Sequence, residues 1–273
     1  MPRKRRIPIR KENPNRLKTG VSGARFRKDP VFKGSRRAMG EFGLASRATT
    51  ILRQAFASIL GNIPQNITHL QLTRRIAVLV REKKAAGTER IRLNQLQWEK
   101  LLKFEFNPEG SLSALLASNY KMEGMQEQAK IDITLDGIRV SNSVHKIKGI
   151  THVRITLGAA AIDFEKEKII KDFTATAHIS KKNEDINEIN LSLQLTPPVV
   201  HPLFIALGFS IFKQDGPQIY ELHNLRYRAL SIIHVQPAPP PEYKKKTTRG
   251  KATIKPAKKK QAPKTARLKN KRR

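Results

Sequence analysis

A chain of 273 residues with 38% hydrophobic side chains can bury a sizeable core, yet it carries 54 Lys and Arg against 22 Asp and Glu, a net charge of +32. The absence of cysteine excludes a disulfide framework, thiolate metal sites and cysteine nucleophiles, and agrees with a reducing compartment. No run approaches the roughly eighteen apolar residues of a membrane span, and no apolar stretch follows the basic amino end as in an export signal, so a cytoplasmic protein with no membrane partner is expected.

Residues 1–37 hold fourteen basic and two acidic side chains and read as a basic, Arg-rich arm. The residues singled out for phosphate contact are Arg3, Lys4, Arg5, Arg6, Arg25, Arg27, Lys28, Arg36 and Arg37, with Phe26 offering a ring on which a base can stack. Guanidinium groups grip phosphate with two parallel hydrogen bonds and stack on bases. Interleaved Arg and Phe in ARFRKDPVFKGSRR therefore suit a nucleic-acid surface.

Residues 38–127 read as a helical unit. Leu44, Ala48, Ile51, Leu52, Ala55, Phe56, Ile59 and Leu60 fall on one helical face, with Gly61 and Pro64 as a stop. A second helix is predicted from about Asn66 to Ala86, burying Leu72, Ile76, Leu79 and Val80 and ending at Gly87, and a third, shorter one from Leu93 to Lys103. On the second helix Arg74 and Arg81 share a face, flanked by Arg75, Lys83 and Lys84 with Glu82 as the single acid, a second candidate basic patch.

Near Ala129 the period drops to two, and residues 128–235 read as an antiparallel β-sandwich. Alternation runs through Ile131, Ile133 and Leu135, then Val153 to Ala159, Phe173 to Ile179, Ile189 to Leu195 and Leu203 to Ile211, with shorter runs near Tyr220 and Ile233. Turn residues separate them at Asp136-Gly137, Lys181 to Asp185, Pro197-Pro198 and Asp215-Gly216-Pro217. Strands without long intervening helices exclude a parallel βαβ sheet, so the fold class is α+β: a helical unit, then a sandwich, with basic disordered arms at both ends.

Three stretches, FEFNPEGSLSALL (Phe104 to Leu116), ITHVRITLGAAAIDFE (Ile150 to Glu165) and FIALGFSIF (Phe204 to Phe212), resemble those of a family of uncharacterised bacterial proteins of similar length. The resemblance spans roughly residues 25 to 235. It implies a bacterial source and supplies no catalytic residues.

Residues 236–273 hold fifteen basic side chains and one acidic one. PAPPP at its start predicts an extended polyproline spacer that holds the following tail clear of the sheet. Lys244, Lys245, Lys246, Lys258, Lys259, Lys260, Arg272 and Arg273 are the tail residues expected to neutralise phosphates diffusely, without reading bases. The two ends thus carry +26 of the total, and residues 38–235 only +6.

Catalytic patterns are absent: no G-x-G-x-x-G, phosphate loop, G-x-S-x-G or H-E-x-x-H occurs. Ser210 sits inside a strand pattern with only the first glycine of a nucleophile elbow. None of the seven histidines is spaced from another as a helical metal pair, and His152 and His178 alternate opposite the apolar residues, on the outer sheet face. Asp163, Glu165 and Glu167 in IDFEKEK read as a solvated turn. The sequence therefore favours a non-enzymatic protein without cofactor or metal that binds DNA or RNA, largely independent of sequence, through its cationic ends. Two alternatives are a structural component of a large nucleoprotein particle, whose sandwich contacts protein partners, and a nuclease whose carboxylates converge in the fold.

Overall fold

The computed structural model describes residues 21–61, 63, 65–87, 91–116, 118–123, 129–136, 149–180, 188–197, 199–222 and 224–239. The expectations placed on Arg3, Lys4, Arg5, Arg6, the tail beyond Pro239, and the turns at Gly137, Lys181 to Asp185 and Pro198 lie outside the described residues. All described residues belong to one unit, Met1–Pro239.

Helices come first. A short α1 (Gly23–Lys28) is capped by Ser22, whose hydroxyl accepts from the Arg25 N–H, and a 3-10 turn at Pro30–Phe32 leads into α2 (Lys33–Ala55). The helix therefore begins well before the apolar periodicity does. Phe56 breaks it, α3 (Ala57–Leu60) adds one turn, and Gly61 takes a positive φ of 49° that favours glycine. The second predicted helix is α4 (Gln65–Ala85), followed by Gly87 at φ 86°, with Leu72, Ile76, Leu79 and Val80 buried as expected.

The third predicted helix does not form. Residues 93–103 make two 3-10 turns, Leu93–Gln95 and Trp98–Leu101, because tertiary bonds claim their backbone. Trp98 Nε1 donates to the Leu93 carbonyl at 2.9 Å, and the Leu93 N–H donates to Glu165 Oε1 at 2.7 Å. Further on, the Lys103 N–H donates to the Ile232 carbonyl and the Phe106 N–H to that of Leu230, so the segment is stitched along a strand edge. One more turn, α5 (Leu112–Leu115), precedes the sheets.

Among the described residues nine strands form two antiparallel sheets. The smaller has the order β1 (Tyr120–Glu123), β2 (Lys130–Leu135), β6 (Ile189–Gln194). The larger is built on β3 (His152–Asp163) and β7 (Leu203–Asp215), which pair from His152↔Phe212 to Ala161↔Leu203. Outside β3 run β4 (Lys168–Ala175) and β5 (Ile179–Ser180), and outside β7 run β8 (Gln218–Glu221) and β9 (Arg228–Gln236). The hairpin from β7 to β8 turns through Gly216 at φ 58°.

The two faces of the larger sheet explain its sequence. One face, with Val153, Ile155, Leu157, Leu203, Ile205, Leu207 and Phe209, packs on Ile131, Ile133, Leu191 and Leu193 of the smaller sheet, which is the sandwich interface. The opposite face, with Ala160, Ile162, Phe164, Phe204, Ala206, Leu230 and Ile232, packs on Leu52, Phe56, Ile59, Leu72, Ile76, Trp98 and Phe104. The layers therefore stack as helices, large sheet, small sheet. In β3 the alternation of HVRITL gives way to continuous burial over GAAAID, because the helices cover only that half. Small residues stand there because the helices approach closely: a Cβ on Gly158 would lie 2.7 Å from Ile59 Cδ1.

Candidate nucleic-acid interface

Charge is divided within the folded unit as well as between it and the ends. Residues 21–87, the helical layer, hold thirteen Lys and Arg against three acids, Asp29, Glu41 and Glu82, a balance of +10. Residues 88–235, which supply the strands, hold eighteen against seventeen, a balance of +1. The positive potential of the folded unit thus concentrates in the layer that follows directly on the basic amino end.

Local bonds fix part of this surface. Asp29 organises the turn between α1 and α2: its Oδ1 accepts from the Val31 N–H at 3.0 Å and its Oδ2 pairs with Arg25 Nε at 3.2 Å. Arg36 reaches back with one Nη1 to the carbonyls of Phe26 (2.6 Å) and Asp29 (2.8 Å). The rings of Phe26 and Phe32 pack together with centroids 5.4 Å apart. Phe26 and Arg36 therefore hold the turn, whereas Arg27, Lys28 and Lys33 project from it exposed.

Between α2 and α4 a single carboxylate gathers three cations. Glu41, whose side chain is 9% exposed, takes Lys84 Nζ at 3.0 Å and Arg37 Nε at 3.1 Å on Oε1, and Arg81 Nε at 3.6 Å on Oε2. The Lys84 hydrogen bond is the strongest influence on its pKa. With Arg37 it outweighs burial and holds the carboxyl below its ordinary value. Three cations on one anion leave a local surplus. Arg37 and Arg81 remain largely exposed, with side chains 61% and 62% accessible, so their guanidinium groups stay open to a further acceptor.

Arg74 lies on the same exposed side of α4 as Arg81, as the seven-residue spacing predicts, and has no ion-pair partner among the described residues. Arg75 instead packs its guanidinium 5.4 Å from the Phe104 ring centroid. Of the selected residues, Arg25, Arg27, Lys28, Arg37, Arg74 and Arg81 are exposed on the helical layer, and Arg36 is committed to the fold. Lys244, Lys245, Lys246, Lys258, Lys259, Lys260, Arg272 and Arg273 lie outside the described residues. Sequence reasoning missed the Glu41 cluster, for which the acid at 41 amid surrounding cations was the available signal.

The acidic turn corrects an expectation. Asp163 is buried, 3% exposed, and accepts from Asn94 Nδ2 (2.8 Å) and the N–H groups of Glu165 (3.0 Å) and Lys166 (3.2 Å), with His201 Nε2 at 3.7 Å. It is a structural cap rather than a solvated carboxylate. Glu167 reaches Arg47 at 2.6 Å. Among the described residues no group of three or more His, Asp or Glu is arranged to hold a metal ion. His178 is exposed and His152 half-buried, and His178 packs edge-on against Phe212 at 4.5 Å.

Among the described residues no helix is long and apolar enough to cross a membrane. No protein-family model matches the chain. No curated protein matches it either.

Proposed function

We propose that the protein binds nucleic acid without catalysis and largely without regard to sequence, in the cytoplasm, using its two cationic ends together with the exposed arginines of the helical layer. The observation that carries this reading is the division of charge: +7 on residues 1–20, +14 on residues 236–273, +10 over the helical residues 21–87 and +1 over residues 88–235. Self-repulsion on that scale is relieved by a polyanion, and a nucleic-acid backbone is the one whose phosphates match a surface of exposed guanidinium groups. The Glu41 cluster supports it by holding Arg37 and Arg81 on adjacent helices with donors unspent.

The test compares oligonucleotide binding by the full chain with that of a chain ending at residue 235, and of full chains carrying R74Q and R81Q. Losing the tail is expected to weaken binding to duplex and single strands alike, and the two helical substitutions to weaken it by a further few-fold. Equal affinity of the full and shortened chains for every oligonucleotide would contradict the reading.

A second reading is favoured by one observation. Met39 (63% exposed), Phe42 (51%), Leu70 (50%) and Val78 (47%) leave apolar side chains uncovered on α2 and α4. A component of a larger nucleoprotein particle would cover such residues with a protein neighbour while its basic ends enter the nucleic acid.

A further inference from the structure

Beside the end of α2 lies a cavity of about 270 Å³ lined by Thr50, Arg53, Gln54, Ala57 and Leu60. The Arg53 guanidinium is partly buried there, with Nη1 3.5 Å from Nδ1 of His69 on α4. Guanidinium has donors only, so a hydrogen bond here requires His69 Nδ1 as its acceptor, in the neutral ring with its proton on Nε2. Burial first, and the Arg53 charge second, push the His69 pKa below its usual value, and burial lowers that of Arg53.

Two further cations contact the backbone beside the cavity. Lys171 of β4 places Nζ 3.4 Å from the Gln54 carbonyl. Arg228 of β9 donates from Nη2 to the Ile59 carbonyl at 3.0 Å and pairs through Nη1 with Glu221 at 2.7 Å. Both cations sit at the carbonyl ends of α2 and α3, where a positive charge is favourable. Arg53 has no such role: among the described residues no carboxylate lies within ion-pair reach of it, and the hydrogen-bond contact of its guanidinium is with the His69 ring. A half-buried cation without a counterion is less favourable than a solvated one, and an anion entering the cavity reverses that.

We propose that this cavity is an oxyanion seat that takes a phosphate group, with Arg53 as its fixed cation and His69 as a second donor that gains a proton from solvent as the anion enters. The anion's oxygens replace His69 Nδ1 as the acceptor for Arg53. The imidazole, released and set beside a negative charge, then favours its protonated form. The volume lies below the ~300 Å³ from which sites for whole drug-sized ligands begin, which suits a phosphate group rather than an entire nucleotide. The phosphate can come from a free ion or from a nucleic-acid backbone, and the seat does not depend on the binding proposed for the ends.

The test follows the ring signals of His69 by NMR in the full chain between pH 5 and 8, at constant ionic strength, in chloride, sulfate and phosphate, and with oligothymidylate lacking a terminal phosphate. Sulfate keeps its charge over this range, so a change in midpoint belongs to the protein. Sulfate and phosphate are expected to raise the His69 midpoint by about one pH unit, a roughly tenfold preference for the protonated ring, and to leave half-buried His234, on β9, unmoved. R53K is expected to keep a reduced shift and R53Q to lose it, with an unchanged His234 signal showing that each variant is folded. An equal shift with oligothymidylate assigns the seat to the backbone; a shift with the inorganic ions alone assigns it to free phosphate. A His69 midpoint indifferent to both inorganic ions, or moved equally in R53Q, overturns the proposal. If oligonucleotides fail to bind at all while sulfate still moves His69, the seat stands and the nucleic-acid reading falls.

Discussion

Asn94 and Asp163, 69 residues apart in sequence, are joined by a 2.8 Å hydrogen bond that closes the turn after β3, and Asn94 Oδ1 also accepts the Phe164 N–H at 2.7 Å. One side chain thus satisfies a buried carboxylate and a buried backbone donor. Asn94→Ala is expected to lower unfolding stability by about 2 to 3 kcal/mol, measured by urea denaturation. For Asp163 burial alone would raise the pKa, but the bonds from Asn94, Lys166 and Glu165, with His201, outweigh it and hold the carboxyl below its ordinary value. Its contribution is therefore present above the unfolded pKa near 3.8 and is lost as pH falls through the lower folded value. Asp163→Asn should remove that portion of the acid transition.

Gly158→Ala places a methyl group against Ile59 Cδ1 and the Phe56 ring, at 2.7 and 3.6 Å. Overpacking of this kind costs about 1 to 3 kcal/mol. Ile59→Val removes the clashing atom, so the double variant is expected to be more stable than the sum of the two single losses. A double-mutant cycle by thermal unfolding checks this, and strict additivity would show that the helix and sheet layers do not meet as described.

His69 and His234, both half-buried, have pKa values lowered chiefly by burial. The unfolded chain binds protons at these sites more readily, so stability falls as pH drops below the unfolded value of about 6.5. Glu105 acts in the opposite sense: burial raises its pKa against the bonds from Leu112 and Ser231, so the folded state holds its proton more tightly and gains stability as pH falls toward 4.5. The melting temperature is expected to decline from pH 7 to pH 5, and more steeply in Glu105→Gln, where the opposing gain is gone. Melting curves recorded at half-unit intervals test both signs.

Glu41→Gln leaves Arg37, Arg81 and Lys84 facing one another without their shared carboxylate. Because two of the cations are exposed, the expected loss is modest, about 1 to 2 kcal/mol at low salt, and it should shrink as salt screens the repulsion. The same variant is expected to bind an oligonucleotide more tightly than the parent, since a competing anion has been removed from the surface. Gel-shift titration of the two proteins at one ionic strength compares them.

The helices and strands were legible where one face is apolar: α4 and the six-residue alternations of β2 and β6 follow directly from period and turn residues. Two features were hidden for definite physical reasons. Residues 93–103 carry a helical pattern, yet the Trp98 indole takes the Leu93 carbonyl and the Ile232 carbonyl of β9 takes the Lys103 N–H, groups a helix would have used. Continuous burial in β7 records a second layer on its far side, which alternation through Leu203 to Ile211 did not disclose. For the candidate interface, the selection of Arg74 and Arg81 rested on helical spacing alone, and both are exposed on α4. The Glu41 cluster and the Arg53–His69 contact depend on the antiparallel meeting of α2 and α4, which brings residues 16 and 43 apart within bonding distance.

The most direct measurement of the central claim is the salt dependence of duplex binding by the full chain. If about eight phosphates are neutralised, log K falls against log salt with a slope of about −7, and a chain lacking residues 1–20 and 236–273 has a much shallower one. A binding constant indifferent to salt, or a slope unchanged by removing both ends, would contradict it.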